Sequence, residues 1–395
     1  MKLSDLVVKE IKGIWGNEPK PGDKVTPIIK TNNMSYEGYI SFDNLTYRTI
    51  PENKLTKSYL NTGDLLIEKS GGTKTHSVGY VNIFEGESNK FVCNNFILAL
   101  RLNDKIVMPK YLFYQLKYKY ESGLFSDCYN KTTGIQNLQV KTYLSKNVII
   151  HNHSEQKLIT EELDEITNLI HLNKRRIDVL NESIKSRFIE MFGDVNKNTL
   201  KFKSFKIGDQ FALGAGGTPK TSEPKYWENG TIPWIGSNMC QDTIIYENDG
   251  KYITEDGFEH SSTKLFKPDT VLVALVGATI GKTALLKFET TTNQNVLGIW
   301  KIAEAGFNPY YVFYYMQAIY YKFKELGDNS FKMASKAFVS ELDILKPDLK
   351  AQNEFAKFVK LIDKSKFVVQ QQINALQELL DRKMDEYFGA TEGTL

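Results

Sequence analysis

Most of this chain occurs twice, and that constrains the fold more than any single motif does. Asn33-Met34 returns as Asn238-Met239, and Gly63-Asp-Leu-Leu-Ile67 returns as Pro268-Asp-Thr-Val-Leu272, both 205 residues later. Asn94-Asn-Phe-Ile-Leu-Ala-Leu100 corresponds to Gln294-Asn-Val-Leu-Gly-Ile-Trp300, and Pro109-Lys-Tyr-Leu-Phe-Tyr114 to Pro309-Tyr-Tyr-Val-Phe-Tyr314, both at an offset of 200. Met191-Phe-Gly193 recurs as Tyr387-Phe-Gly389 at an offset of 196. Offsets that shrink along the chain are those of two copies of one unit with loops of slightly different length.

Each copy has two parts. Residues 1 to 150 and 200 to 348 are rich in short β-branched and aromatic runs punctuated by Gly, Asn and Pro, which predicts a mixed α/β module. A long helix follows in each copy. Ile159, Leu163, Ile166, Ile170, Ile177, Leu180 and Ile184 fall on alternating four-and-three spacing, with Asn173, Arg187 and Met191 in the same register. Phe355, Val359, Ile362, Val369, Ile373, Leu376 and Leu380 repeat that register 196 residues on, with Lys366, Lys383 and Tyr387. An apolar stripe sustained over about five heptads predicts a coiled coil. Only a dozen or so residues separate the first helix from the second module, which predicts an antiparallel pair with a module at each end.

Composition narrows the function. A net charge of +3 confines any nucleic-acid surface to local patches. Cys93, Cys128 and Cys240 form no C-x-x-C and cannot all pair, which fits a reducing cytoplasm. The start of the chain lacks a signal-peptide apolar core, and the longest apolar stretch, Val271 to Ile280, is too short to cross a bilayer, so no membrane association is expected. Five scattered histidines form no H-E-x-x-H, so no metal site is expected.

Gly277, Gly281, Lys282 and Thr283 suggest a phosphate-binding P-loop, but the glycines are one residue too close, and strand-like Ala284-Leu-Leu follows where a helix is required. Asn308-Pro-Tyr-Tyr311 lacks one proline of an adenine-methyltransferase motif. Pro268-Asp269 and Pro347-Asp348 are not followed by the acid-x-Lys of a nuclease. The chain is therefore expected to be non-catalytic.

Gly217-Thr-Pro-Lys-Thr-Ser222 with Ile232-Pro-Trp-Ile235, the Gly277-Ala-Thr-Ile-Gly-Lys282 loop, Asn293-Gln-Asn295 and the Gln352-containing entry to the second helix complete the pattern. In their order, repetition and coupling to the helices, the chain resembles the specificity subunit of type I restriction-modification enzymes over essentially its whole length. The resemblance implies an α+β fold. Two target-recognition modules (1–150 and 196–348) each precede a long helix (151–195 and 349–390), and the two helices pair as an antiparallel coiled coil with pseudo-twofold symmetry. It implies a protein that reads a bipartite, asymmetric target in double-stranded DNA, one half-site per module. Its partners would be methylation subunits, two of them, and restriction subunits. S-adenosylmethionine, ATP and Mg²⁺ would sit on those partners and not on this chain. Neighbouring possibilities are the specificity subunit of a fused methyltransferase-nuclease system, or a structural adaptor that does not read DNA.

The resemblance places the Gly277–Thr283 turn on the DNA-facing side, with Thr279, Lys282 and Thr283 as contacts and Thr218 and Lys220 beside them. The first module departs from the pattern. It carries Gly13-Ile-Trp-Gly16, Pro27-Ile-Ile-Lys-Thr31 and Lys69-Ser-Gly-Gly-Thr-Lys-Thr-His76 instead, which implies a different target and makes Thr31, Lys69, Lys74, Thr75 and His76 the counterpart contacts. Asn33, Asn238, Gln136 and Lys336 are further candidates for base edges or phosphates, because Asn and Gln pair with adenine and Lys with guanine or phosphate. The aromatic stripes Tyr111 to Tyr120 and Tyr310 to Phe323 are expected to be core and not a stacking platform.

Overall fold

The computed structural model of the chain describes residues 1–73, 76–130, 135–326 and 333–389. The chain divides into two compact units, Met1–Lys174 with Gln371–Leu395, and Arg175–Gln370. The division falls within both long helices, His153–Phe192 and Leu349–Phe388, so each unit holds about half of each helix.

In the first unit an antiparallel sheet has the strand order Val7–Lys12, Ile97–Leu102, Leu65–Glu68, Val81–Ile83. Leu65-Leu66-Ile67 is buried on both faces, which explains its unbroken apolar run. Two small three-stranded sheets complete the module: Thr46–Arg48, Thr26–Ile29 and Val92–Cys93, then Ser70–Gly71, Gln136–Leu138 and Tyr129–Asn130. The helix Pro109–Glu121, opened by a proline suited to that position, packs on the Val81–Ile83 strand.

The second unit elaborates the same plan. Its main sheet runs Ala212–Ala215, Val296–Trp300, Val271–Ala274, Thr283–Leu286, Thr243–Ile245, antiparallel except for the last pair. A second sheet, Tyr252–Ile253, Ile232–Ile235, Thr290–Thr292 and Leu265–Phe266, lies beside it. Ile235, Phe266, Leu272, Ala284 and Val296 form one shared apolar cluster.

Within each unit the two helix halves run antiparallel and close the module. In the first, Glu162 receives Lys383 at 3.2 Å and a hydrogen bond from Tyr387, while Phe388 packs edge-on against Tyr111 at 5.5 Å. In the second, Phe188 and Phe192 meet Phe355 at 5.4 and 5.6 Å, Arg187 lies over Phe358, and Phe192 packs edge-on against Tyr311 at 4.8 Å. Each module is thus capped by the foot of the other copy's helix. A buried glutamine fixes each helix start. Gln156 Oε1 accepts Met108 N–H at 2.8 Å while its Nε2 donates to Ile106 O and His151 O. Gln352 repeats this with Asn308 N–H at 2.8 Å and Pro347 O.

The helix register holds in part. Ile159, Leu163, Ile166, Ile170, Ile184, Phe355, Val359, Val369, Ile373 and Leu380 are buried, whereas Ile177, Leu180, Ile362 and Leu376 are half-buried. At both feet the expected positions Arg187, Met191, Lys383 and Tyr387 give way to Phe188, Phe192, Met384 and Phe388, one residue on. An α-helix turns every 3.6 residues and drifts off a 3.5-residue stripe, and at the feet the helix also covers the module, where Phe188 and Phe192 meet Tyr311 and Phe388 meets Tyr111. The aromatic stripes are core: Tyr111, Phe113, Tyr114, Tyr310, Tyr311, Phe313, Tyr315 and Phe323 are all buried.

Candidate nucleic-acid interface

In the second module, four loops meet where the Val271–Ala274 strand ends. Gly277 and Gly281 adopt φ of 73° and 78°, and a side chain on Gly281 would lie 2.5 Å from the Phe323 ring, so glycine is required there. The turn closes through Gly281 N–H to Ala274 O and Ala274 N–H to Lys282 O, then passes directly into the strand Thr283–Leu286. With no helix after it, the loop cannot cradle a nucleotide phosphate as a P-loop does. Lys282 Nζ instead donates to Gln241 Oε1 at 2.9 Å, and Gln241 Nε2 donates to Asn238 O at 3.1 Å. The turn Ser237–Met239 leaves the Asn238 side chain exposed, its Nδ2 3.5 Å from Asp249 Oδ2. On the other flank Thr218 donates to Gln294 Oε1 at 2.6 Å, and the loop carrying Thr218 and Lys220 is pinned by Gly217 N–H to Thr292 O and by Trp234 Nε1 to Gly217 O. Ala334 N–H bonds Leu275 O, which brings exposed Lys336, at the head of the helix Lys336–Glu341, next to the same loop.

The structure therefore gathers Thr218, Lys220, Asn238, Thr279, Lys282 and Lys336 into one loop cluster. Lys220 is tied to Glu223 at 2.9 Å but stays exposed. Thr283 does not belong to that surface. It is fully buried, and both its N–H and its hydroxyl are spent on Asp242 Oδ1, because the strand has already begun there. Gln241 and Gln294 join the cluster. Gln294 was visible in the Asn293-Gln-Asn295 motif; Gln241 carries no sequence signal.

The first module is built differently. Lys69 is half-buried at the end of the Leu65–Glu68 strand, where its backbone bonds Phe96 O and Leu138 N–H. His76 is exposed and stacks on Tyr36 with ring centroids 3.8 Å apart. Gln136 Oε1 accepts Val78 N–H at 3.2 Å, so one end of its amide is committed. Lys74 and Thr75 lie outside the described residues. Thr31 opens the short turn Thr31–Asn33 and is half-buried. Asn33 is a correction. Although it is the counterpart of exposed Asn238, it is 5% exposed, accepts Lys30 N–H and donates to Asp43 O, so its amide is turned inward and holds the turn in place.

What the motif reading missed is the segment after Asn33. Tyr36, Tyr39 and Phe42 stand exposed on it, and fully buried Asn82 holds it in place by donating to Ser35 O at 2.8 Å and Tyr39 O at 2.9 Å. The aromatic, glycine-containing string was legible; the asparagine that orders it was not. Under this surface lies Glu68, whose carboxyl is pushed up to about 7 by burial. All three cysteines are free and buried, with burial raising the Cys93 and Cys240 thiols to about 12. Among the described residues no group of three or more His, Cys, Asp or Glu is placed to hold a metal ion, and no helix is long and apolar enough to cross a membrane.

Two divergent copies of one α/β module, each with a polar and aromatic loop cluster at a sheet end and each capped by the other copy's helix, define a tandem recognition protein. The chain belongs to the family of the type I restriction modification DNA specificity domain, whose model matches it twice, at residues 1–182 and 200–378. It is 24% identical to the putative type I restriction enzyme MjaX specificity subunit of Methanocaldococcus jannaschii, over 92% of this chain and 86% of that one. It is 30% identical to the EcoR124I/EcoR124II specificity subunit of Escherichia coli over a shorter stretch, 34% of this chain and 31% of that one. In fold it is similar to the crystal structure of the type I restriction-modification S subunit from M. genitalium, at 16% identity and a TM-score of 0.54, covering 97% of this chain and 94% of that one.

Proposed function

We propose that the chain is the non-catalytic specificity subunit of a type I restriction-modification complex, reading a bipartite, asymmetric duplex target with one module per half-site. The observation that carries this reading is that the family match occurs twice, on modules whose loop clusters differ. A cluster of Lys220, Lys282, Asn238 and Gln294 and a cluster of Tyr36, His76 and Gln136 present different donors and stacking faces, so they read different bases. The long helices supply the docking surface. In the first unit Leu158, Leu169 and Leu172, and in the second Val179, Leu361 and Phe367, are exposed apolar side chains on otherwise polar helix faces. Two methylation subunits cover them and restriction subunits join the assembly. The partners bring S-adenosylmethionine, ATP and Mg²⁺, and the complex works in the cytoplasm.

The test is to co-express the chain with its methylation subunits and sequence the methylated adenines. A two-part motif is expected. Replacing residues 200 to 348 by the equivalent part of a relative should change one part and leave the other intact. Change in both parts would overturn independent reading, and methylation without sequence preference would leave only an adaptor role.

A further inference from the structure

A buried carboxylate in the first module has no counterpart in the second. Glu68 ends the Leu65–Glu68 strand and is 6% exposed, and at the offset of 205 the corresponding residue is Val273, fully buried. Packing alone is satisfied by valine, so a carboxyl group at this place costs stability unless it is used. Its Oε2 has no hydrogen-bond partner among the described residues.

The backbone is shaped around this group. Gly71 has φ of 135°, and a side chain there would lie 2.6 Å from Glu68 Oε1, so glycine lets the turn fold over the carboxyl. Gly72 N–H points at the same oxygen at 3.5 Å. The turn in turn holds His76: Thr73 N–H donates to His76 O at 2.7 Å, and His76 N–H donates to Thr73 Oγ1 at 3.0 Å. The His76 ring lies on Tyr36, and Tyr36 is 4.5 Å from Tyr80, whose backbone C=O accepts Glu68 N–H. From the other side Tyr120 bonds Ser77 O at 2.7 Å. Among the described residues, the ionisable groups facing Glu68 are the phenols of Tyr36, Tyr80 and Tyr120, with Lys69 beside it in the chain and His76 across the turn.

We propose that Glu68 is a positioning residue for target reading by the first module: its carboxyl seats the Gly71–Thr73 turn, and through it the Tyr36–His76 pair. The inference rests on the reading of this module as the one that reads the first half-site. Burial disfavours the carboxylate here and outweighs the Gly72 N–H, whose bond favours it. Once ionised, the carboxylate demands water or donors beyond those that the described residues supply, and drawing them in loosens the turn from its seat. Discrimination in the first half-site should therefore be strongest below neutral pH and fall as pH rises, while the second module, with Val273 in that place, stays indifferent.

The experiment uses the complex of the full chain with its methylation subunits, on its own target and on single-base variants of each half-site. The half-site read by the first module is the one unchanged when residues 200 to 348 are exchanged. The ratio of kcat/KM for matched over mismatched DNA is followed from pH 6 to 8.5. For the wild type, first-half discrimination should fall by roughly fivefold or more across this range. Glu68→Gln, which keeps an uncharged acceptor, should hold it high and flat. Glu68→Val, which copies the second module and removes the acceptor, should hold it low and flat, with melting temperature unimpaired. Second-half discrimination should not move. A Glu68→Gln profile parallel to the wild type would show that Glu68 does not set the pH dependence and overturn the proposal, as would a Glu68→Val profile like the wild type. Absence of any two-part target would instead defeat the specificity-subunit reading itself.

Discussion

Gln352 Oε1 accepts the backbone N–H of Asn308 at 2.8 Å, so the start of the second long helix is fastened to the residue that opens the helix Pro309–Ala318. Gln352 is fully buried, and leucine of similar size would leave the Asn308 N–H without a partner. Gln352→Leu should destabilise the chain by about 1–3 kcal/mol, read from urea unfolding. Gln156→Leu should do the same at Met108. A neutral result at both positions would show that water replaces the clamp.

The capped modules predict where truncation hurts. Phe388 is 2% exposed between Tyr111 and Tyr118, and Phe388→Ala should cost about 3–5 kcal/mol. Ile166→Asp puts a carboxylate into a buried helix seam and should cost several kcal/mol and block assembly with methylation subunits. Leu376→Asp, at a half-buried site, should cost less. Equal effects from the two Asp variants would mean that seam burial does not decide the outcome.

Phosphate contacts and structural asparagines should separate in a salt titration. Lys220→Ala and Lys282→Ala should each lower the slope of log binding constant against log salt by about 0.9 while leaving folding intact. Asn33→Ala should leave that slope alone and lower stability by about 1–3 kcal/mol, because Lys30 N–H and Asp43 O lose their partner. A reduced slope in Asn33→Ala would return this residue to the interface.

Glu68 also makes a prediction about stability. Its ordinary value of 4.5 is raised to about 7 by burial, so the folded chain binds more protons than the unfolded chain between those values. Stability from this group is complete below about pH 4.5 and is lost as pH rises through about 7, in total on the order of 3 kcal/mol. Glu68→Gln should therefore flatten the pH dependence of unfolding over this window and be the more stable form at pH 8. A wild-type stability that rises from pH 5 to 7, with a slope unchanged in Glu68→Gln, would contradict it.

What could be read in advance was whatever the chain writes twice or repeats with a period. Tyr111 and Tyr311, or Ile184 and Leu380, announce themselves because burial demands the same residue class in both copies. At the feet the recurrence of Phe192 as Phe388 was legible but the change of register was not, since Phe188 answers to Tyr311 of the module as well as to Phe355 of the other helix. Exposure was equally hidden. Asn33 and Asn238 are the same residue at the same place in the repeat, yet the one is buried against Asp43 O and the other stays exposed. Glu68 looked like any charged residue after a strand, because only the turn folded back over it reveals its burial.

The cap on the first module has a cost in time. Tyr111 and Phe388 are 277 residues apart in the chain, and at ribosomal rates of ~5–20 residues per second the second follows the first by roughly 14–55 s. Arg175–Gln370, by contrast, is one continuous stretch, so all of the second unit is delivered before the first can be finished. Emergence and completion run in opposite orders: the module that leaves the ribosome first waits longest with its aromatic flank bare. A nascent chain interrupted before Phe388 leaves that flank open to chaperones and proteases, while everything the second unit needs has already been made.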